Sequence, residues 1–159
     1  ADLVSHTSTK VLDTRKTIPG LRMAQKYAVS CGGCENHRLG LYDAFLIKEN
    51  HIKACDGIAN AVDAARFHNP DLKIEVEVEN IDELQQAINA GADRVLLDNF
   101  DIETLQHAAE ICKGKVITEA SGNITVDNIG DYAQTGVDYI STGALTKNIK
   151  AIDLSMRFT

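Results

Sequence analysis

Six short apolar runs, at 10–14, 44–48, 73–79, 94–99, 115–120 and 138–143, alternate along the chain with amphipathic stretches near 20–31, 56–68, 81–90, 101–112 and 125–135. A strand that is followed by a helix has to cross over before it can pair with the next strand. The order therefore predicts parallel strands joined by right-handed βα units. The expected class is α/β, a TIM-like (βα) barrel with parallel strands. Six strands make it incomplete or open, or place its first elements outside this sequence. Asp82 and Asp101 sit where helix starts are expected, and Gly91, Gly114 and Gly136 where helices should end. Ala-Gly-Ala-Asp at 90–93 and Thr-Gly-Val-Asp at 135–138 read as one helix-to-strand turn used twice. Pro19 suits the first turn of a helix. Apolar residues at every second position from Ile152 to Phe158 predict a short extra strand.

The 159 residues read as a single domain, 1–159, long enough to bury a core. An apolar fraction of 44% and a charged fraction of 25% are those of a soluble globular protein. No run reaches the length that spans a bilayer, and the N-terminus lacks the layout of a signal peptide. No membrane partner and a cytoplasmic location are expected. The net charge of −7 argues against nucleic acid. Its distribution is uneven: residues 1–53 hold 8 Lys and Arg against 5 Asp and Glu, and residues 54–159 hold 8 against 18. An anionic ligand is drawn to the first third, and a cation such as Mg²⁺ to the acids beyond it.

The cations of the first third fall at strand ends. Arg15 and Lys16 follow the first apolar run, His37 and Arg38 lie in a loop bounded by Gly32, Gly33 and Gly40, and Lys48 ends the second run. In parallel α/β folds the C-terminal ends of strands point at the ligand crevice, so these five side chains make a candidate anion site. Taken singly, each reads as an ordinary surface cation. Their shared location argues otherwise.

Residues 74–79 alternate Ile, Glu, Val, Glu, Val, Glu, which puts Glu75, Glu77 and Glu79 on one face and Ile74, Val76 and Val78 on the other. With the aliphatic side against helices, the glutamates face a lumen, where unpaired carboxylates are expensive. Arg15 and Lys48 are the expected partners. An edge strand with its glutamates in water is the alternative. Cys31-Gly-Gly-Cys34, with His37 nearby, has the spacing of a zinc or dithiol motif, but no second Cys pair completes a ligand set. Reduced thiols are the ordinary reading.

Three more strand ends carry ligand-type residues. The fourth run ends in Asp98, the fifth in Ser121-Gly122-Asn123, and the sixth in Ser141-Thr142-Gly143. Small residues and glycine on two consecutive strands let backbone N–H groups approach a phosphate.

Taken together, the strings DTRKTIPGLR, CGGCENHRLGLYDAFLIKENHI, EVEVEN, LLDNF, EASGNIT, TGVDYISTGALTK and DLSMRF resemble, in order and spacing, the C-terminal barrel of the quinolinate phosphoribosyltransferase family. The resemblance covers nearly the whole chain. It implies a pentosyltransferase of NAD biosynthesis that converts quinolinate and phosphoribosyl pyrophosphate to nicotinate mononucleotide, pyrophosphate and CO₂ with Mg²⁺. It also implies that Arg15, Lys16, His37, Arg38 and Lys48, with Thr14 beside them, line the quinolinate pocket, some of them reaching the phosphoribosyl donor. Glu77 and Asp98 match the acids facing the ribose and the metal–pyrophosphate region, the metal being reached indirectly. Ser121, Gly122, Asn123, Ser141, Thr142 and Gly143 match the phosphate loops, and Lys147 a position of basic or imidazole character. Lys16, Lys48, Glu77 and Asp98 are the expected catalytic residues. Lys16, Lys48 and His37 are candidates for steering the protonation that follows decarboxylation.

Cys34 stands where the family often has glycine. The family's N-terminal domain, which helps build the active site across a dimer interface, has no counterpart in the sequence, so the expectation is a chain inactive alone and a homodimer or higher in full-length form. Two readings compete: a related phosphoribosyltransferase with another pyridine acceptor, and a non-catalytic anion-binding scaffold. Arg15, Lys16, Arg38 and Lys48 together favour an acceptor with two carboxylates.

Overall fold

The computed structural model of the protein describes residues 1–158. A 3₁₀ turn at Asp2–Val4 leads into β1 (Lys10–Leu12), α1 (Arg22–Cys31), β2 (Phe45–Ile47), α2 (Glu49–Ala54), α3 (Ile58–His68) and β3 (Ile74–Val78). There follow α4 (Ile81–Asn89), β4 (Arg94–Asp98), α5 (Ile102–Cys112), β5 (Ile117–Ser121), α6 (Ile129–Ala133), β6 (Tyr139–Ser141) and α7 (Ala144–Lys147). The six strands form one all-parallel sheet in the order β1-β6-β5-β4-β3-β2. The two earliest strands are its edges. The sheet therefore curls toward a barrel without closing. The loop after α1 lies along the free edge of β1, where Glu35 N donates to Val11 O at 2.9 Å and Asp13 N to Glu35 O at 3.2 Å.

The period of two sorts the strand residues. Ile74, Val76 and Val78 on β3 and Val95 and Leu97 on β4 are all fully buried against the helices. They form one cluster with Leu84 and Ala87 of α4 and Leu105 and Ala108 of α5. The opposite face looks into the lumen, and is polar: β3 offers Glu75 and Glu77, β4 offers Arg94, and β5 offers Glu119, with Leu96 among them. Parallel sheets are ordinarily apolar on both faces. A charged lumen is thus the departure from the generic fold, and it is where the site lies.

Helix starts follow from side-chain caps. Asn80 accepts from Glu83 N, and Asp101 from Thr104 N, each satisfying a donor that the first turn leaves free. The repeated turn is real and has a further function. Gly91 and Gly136 take φ of +78° and +89°, which favours glycine. The aspartate two residues on then accepts an N–H at the start of a neighbouring strand: Asp93 from Ile74 N, the first of β3, at 2.9 Å, and Asp138 from Thr118 N, the second of β5, at 2.8 Å. Asp93 also binds Arg66 and Lys73, each at 3.0 Å.

Two expectations fail. Residues 151–158 form no strand: Ile152, Leu154, Met156 and Phe158 are 81–93% exposed. Alternation makes a strand only where an edge offers pairing, and these residues pair with none. Pro19 lies before the helix, in a turn closed by Leu21 N to Ile18 O at 3.0 Å, with Gly20 at φ +79° supplying the left-handed position. The Pro-Gly pair fits a type II turn, and α1 begins at Arg22. The helices α2 and α7, short and flanked by strand ends, had no periodic signal.

Two outcomes check the fold. Val76→Asp places a charge in a fully buried site and should abolish the cooperative thermal transition. At Asp93, burial opposes ionisation, but the Ile74 N–H and the Lys73 and Arg66 charges outweigh it and lower the pKa. Its contribution is present above the ordinary carboxylate range and lost as pH falls through the lowered value. Asp93→Asn should lower the urea midpoint at neutral pH, and the difference from the parent should shrink toward pH 3.

Candidate active site

The C-terminal ends of all six strands open into two adjoining cavities. One, of about 410 Å³, is lined by Arg15, His37, Arg38, Lys48, Glu77 and Glu119. The other, of about 570 Å³, is lined by Gly122, Asn123, Thr142, Gly143 and Lys147. Thr14, Lys16, Asp98, Ser121 and Ser141 line both. Every candidate residue read from the sequence thus borders one continuous site. The five cations gather on one side, and the small-residue loops on the other.

A buried ion pair holds the cationic side. Lys26 of α1 donates to Asp13 Oδ1 at 2.5 Å, with exposures of 1% and 0%. Asp13 also accepts His37 N on Oδ1 at 2.8 Å and Asn36 Nδ2 on Oδ2 at 2.7 Å, while Lys26 donates to His37 O at 2.9 Å. The residue after β1 is thereby locked to the loop carrying His37 and Arg38. Arg22 makes a second staple, donating to Arg15 O and Leu39 O, each at 3.3 Å. Gln25 makes a third, joining Ile18 N to Thr146 O. Sequence reasoning assigned no role to Asp13, Arg22, Gln25 or Lys26. The signal for Arg22, Gln25 and Lys26 was helical spacing after the Arg15–Lys16 pair, and that for Asp13 its place at the end of the first apolar run.

Among the described residues Arg15 pairs with no carboxylate, and its buried Nε has no partner. The expectation that Arg15 neutralises the β3 glutamates is corrected. Glu75 is matched instead by His37, and Glu77 by Lys48. Glu79 lies past the end of β3 and is exposed. Burial, and then the charge of Arg15, lowers the proton affinity of Arg38. Two guanidiniums that crowd each other in a pocket, one with an idle donor, are arranged for an anion.

The lumen floor is a charged cluster. His37 Nε2 lies 2.9 Å from Glu75 Oε2 and 3.3 Å from Glu119 Oε2, and Arg94 donates to Glu119 at 3.1 Å while its guanidinium stacks 4.5 Å from the Tyr139 ring. Burial opposes charge on His37, but Glu119 and Glu75 outweigh it and push its pKa up to about 9. Burial and the neighbouring Glu119 raise Glu75. Burial opposes ionisation at Glu119, yet His37, the Ser141 hydroxyl and Arg94 prevail and lower it. Cys31 and Cys34 take no part, since among the described residues the one metal-compatible group of His, Cys and acids is His37 with Glu75 and Glu119. The zinc reading of the Cys pair falls with it.

The loop side is built on left-handed backbone. Asn99, Gly122 and Asn123 have φ of +57°, +101° and +51°. A Cβ on Gly122 would lie 2.2 Å from Asn99 Oδ1, so only glycine fits. Asn123 Nδ2 donates to Asn99 Oδ1 at 3.3 Å, and Thr142 Oγ1 to Ile124 O at 2.8 Å. The two loops thus brace each other, with strain concentrated where a ligand approaches. Asn99 was the strand-end residue left without a role.

The family described as quinolinate phosphoribosyl transferase, C-terminal domain, matches residues 1–157. The chain belongs to that family. It is 48% identical over 151 residues to a probable carboxylating nicotinate-nucleotide pyrophosphorylase of Bacillus subtilis, covering 94% of this chain and 52% of that protein. The corresponding figures for the Mycobacterium leprae nicotinate-nucleotide pyrophosphorylase are 43% over 158 residues, 98% and 56%. The structure of the Francisella tularensis nicotinate-nucleotide pyrophosphorylase superposes with a TM-score of 0.95 at 60% identity, covering 97% of this chain and 55% of that one. The chain spans about half the length of the curated relatives it matches.

Breaking the buried pair is the sharpest test of this architecture. Lys26→Met leaves Asp13 charged and unpaired in the interior, which costs about 3–5 kcal/mol. Urea unfolding should show that loss. Exchanging both for a shape-matched apolar pair should recover much of the stability while disordering the 36–39 loop, visible in amide exchange.

Proposed function

We propose that the chain is the barrel of a quinolinate phosphoribosyltransferase, transferring phosphoribose from phosphoribosyl pyrophosphate to quinolinate with loss of CO₂. The observation that carries this is one site with two halves: five cations in the segments that follow β1, α1 and β2, facing braced small-residue loops after β5 and β6. Arg15 and Arg38, with His37 and Lys48, provide for a dicarboxylate. Ser121–Asn123, Ser141–Gly143, Lys16 and Lys147 provide for the phosphate groups of the donor.

In this reading the sugar carbon gains positive charge as pyrophosphate leaves, and the pyridine nitrogen attacks it. Asp98 and Glu77 face that charge from the ends of β4 and β3. Lys48 holds Glu77 in place, and Asn99 Nδ2 donates to Asp98 at 2.8 Å. The residues present fit Mg²⁺ held chiefly by pyrophosphate and water, with Asp98 as the acid at hand, because Glu77 is committed to Lys48 and the one three-ligand group among the described residues, His37 with Glu75 and Glu119, is paired within itself and does not include Asp98. Bound there, the ion offsets charge on the leaving group. Once the ring nitrogen is ribosylated, the ring becomes an electron sink and the adjacent carboxylate can depart as CO₂.

Because the chain spans about half of its relatives, turnover is proposed for the longer protein, as a homodimer or higher, and binding for the chain itself. A cytoplasmic location completes the reading; no helix among the described residues is long and apolar enough to cross a membrane. Calorimetry should show quinolinate binding more tightly than nicotinate, since only the former uses both arginines. Arg38→Ala should weaken quinolinate by at least about tenfold, as removal of one member of a buried charged contact does. Arg38→Lys should not restore it if the contact is bidentate. Equal binding of nicotinate would favour another pyridine acceptor, and no binding of either a scaffold.

A further inference from the structure

The His37 cluster joins two spaces. His37 and Glu119 border the substrate cavity, while His37, Glu75 and Arg94 border a separate cavity of about 280 Å³ at the opposite, N-terminal end of the strands. Between the two lie carboxylates 4% and 0% exposed, each with one oxygen, Oε1, that finds no partner among the described residues. No argument from stability explains two acids placed within 3.3 Å of one imidazole nitrogen. A single cation would serve one of them.

Counting protons narrows the choice. Arg38 N donates to His37 Nδ1 at 2.7 Å, so Nδ1 carries the lone pair and the ring's proton is on Nε2, toward the acids. With both carboxylates ionised and the ring neutral, Arg94 offsets one charge and the other is left buried without compensation. One more proton removes that deficit, and with Nδ1 held as an acceptor it resides on Glu75. Asp13, which accepts His37 N, is already matched by Lys26, Arg15 faces the substrate cavity, and Arg38, which borders both cavities, donates to Ala44 O. Among the described residues His37 is the one basic group that pairs with Glu75.

We propose that His37, Glu75 and Glu119 hold one proton in common inside the barrel, pass it to the substrate cavity, and regain it from the cavity at the other end. The inference rests on the decarboxylating reaction proposed above. There the bond from ring carbon to carboxylate breaks, CO₂ leaves, and the electron pair remains on the carbon, which must take up one proton. His37 Nε2 passes its proton to Glu119 as it receives one from Glu75. Glu119, briefly a carboxylic acid in the cavity wall, yields that proton toward the ring carbon and returns to carboxylate. Glu75 is reprotonated by water. Glu75 and Glu119 are relay groups distinct from the cations that hold the substrate, and His37 belongs to both sets.

The first test needs no turnover. Carbon and nitrogen NMR of the labelled chain should show the cluster retaining its extra proton at pH 7 and losing it only at alkaline pH, in keeping with the upward shifts of His37 and Glu75. Two ionised glutamates around a neutral imidazole at pH 7 would overturn the proposal. The second test is kinetic, in the longer enzyme. Glu119→Gln and Glu75→Gln should each lower kcat by roughly a hundredfold, the scale of a lost proton-transfer group. Quinolinate and donor KM values should stay within about twofold, with a larger solvent isotope effect on kcat and an altered alkaline limb. A fall confined to KM, or an unchanged isotope effect, would refute the relay while leaving the reaction intact. If Glu119→Gln does not fold, Glu75→Gln and the parent's own isotope effect decide the matter. Absence of turnover in the parent would count against the reaction, a failure the NMR result distinguishes.

Discussion

The buried pair between Lys26 and Asp13 is the constraint on which the cationic half of the site depends. Two charges removed from water are rarely a net gain in stability, since desolvation consumes most of their attraction. Here the pair is not left to itself. Asp13 also accepts the His37 and Asn36 N–H groups, and Lys26 also donates to the His37 carbonyl. The result is a rigid joint between the end of β1, helix α1 and the loop across the open side of the barrel. Without it, the loops of Arg15 and Arg38 would be tied chiefly by the two longer bonds from Arg22 to Arg15 O and Leu39 O. The mutual repulsion that makes them a good anion site would drive those loops apart.

The open barrel explains why such a joint is needed. In a closed sheet, β1 and β2 would hold each other through a ladder of backbone bonds. Here they are opposite edges, and the segment from Glu35 to Lys48 bridges the gap with one isolated pairing, side-chain bonds and Asp43, which accepts Leu39 N and Gly40 N. Side-chain chemistry replaces missing strand pairing on the flank that carries most of the cations. On the other flank, β5 and β6 are paired and their loops brace each other directly. Ligand-type residues there need only glycine and asparagine in left-handed conformations.

The parallel strands and the location of the site were legible in the sequence because both follow from the alternation of apolar runs and helices. Each strand announces itself by a short apolar run, and its C-terminal end names the face where ligands lie. What the sequence hid were partnerships. Alternation showed that Glu75 and Glu77 share a face, but register decides which cation meets which acid, and His37 reaches Glu75 through a loop whose path has no periodic signal. Asp13 and Lys26 looked like ordinary charges near a cationic motif, since burial of both ends is a tertiary fact. Residues 151–158 misled for the converse reason: they have the pattern of a strand, but a pattern needs an edge to pair with.

The two faces of the strands divide the work. The outward face is aliphatic and carries stability, in the way any parallel α/β protein does. The inward face gives up that contribution. Glu75, Arg94 and Glu119 occupy positions where branched aliphatic side chains would pack and stabilise, and two carboxylate oxygens are left without partners. Such sites survive where the surrounding structure over-determines them. Here the over-determination is visible: β3, β4 and β5 each anchor one charge through a fully buried outward neighbour, Ile74, Val95 and Ala120 respectively. The lumen can carry charge because the sheet's other side fixes each strand independently of it.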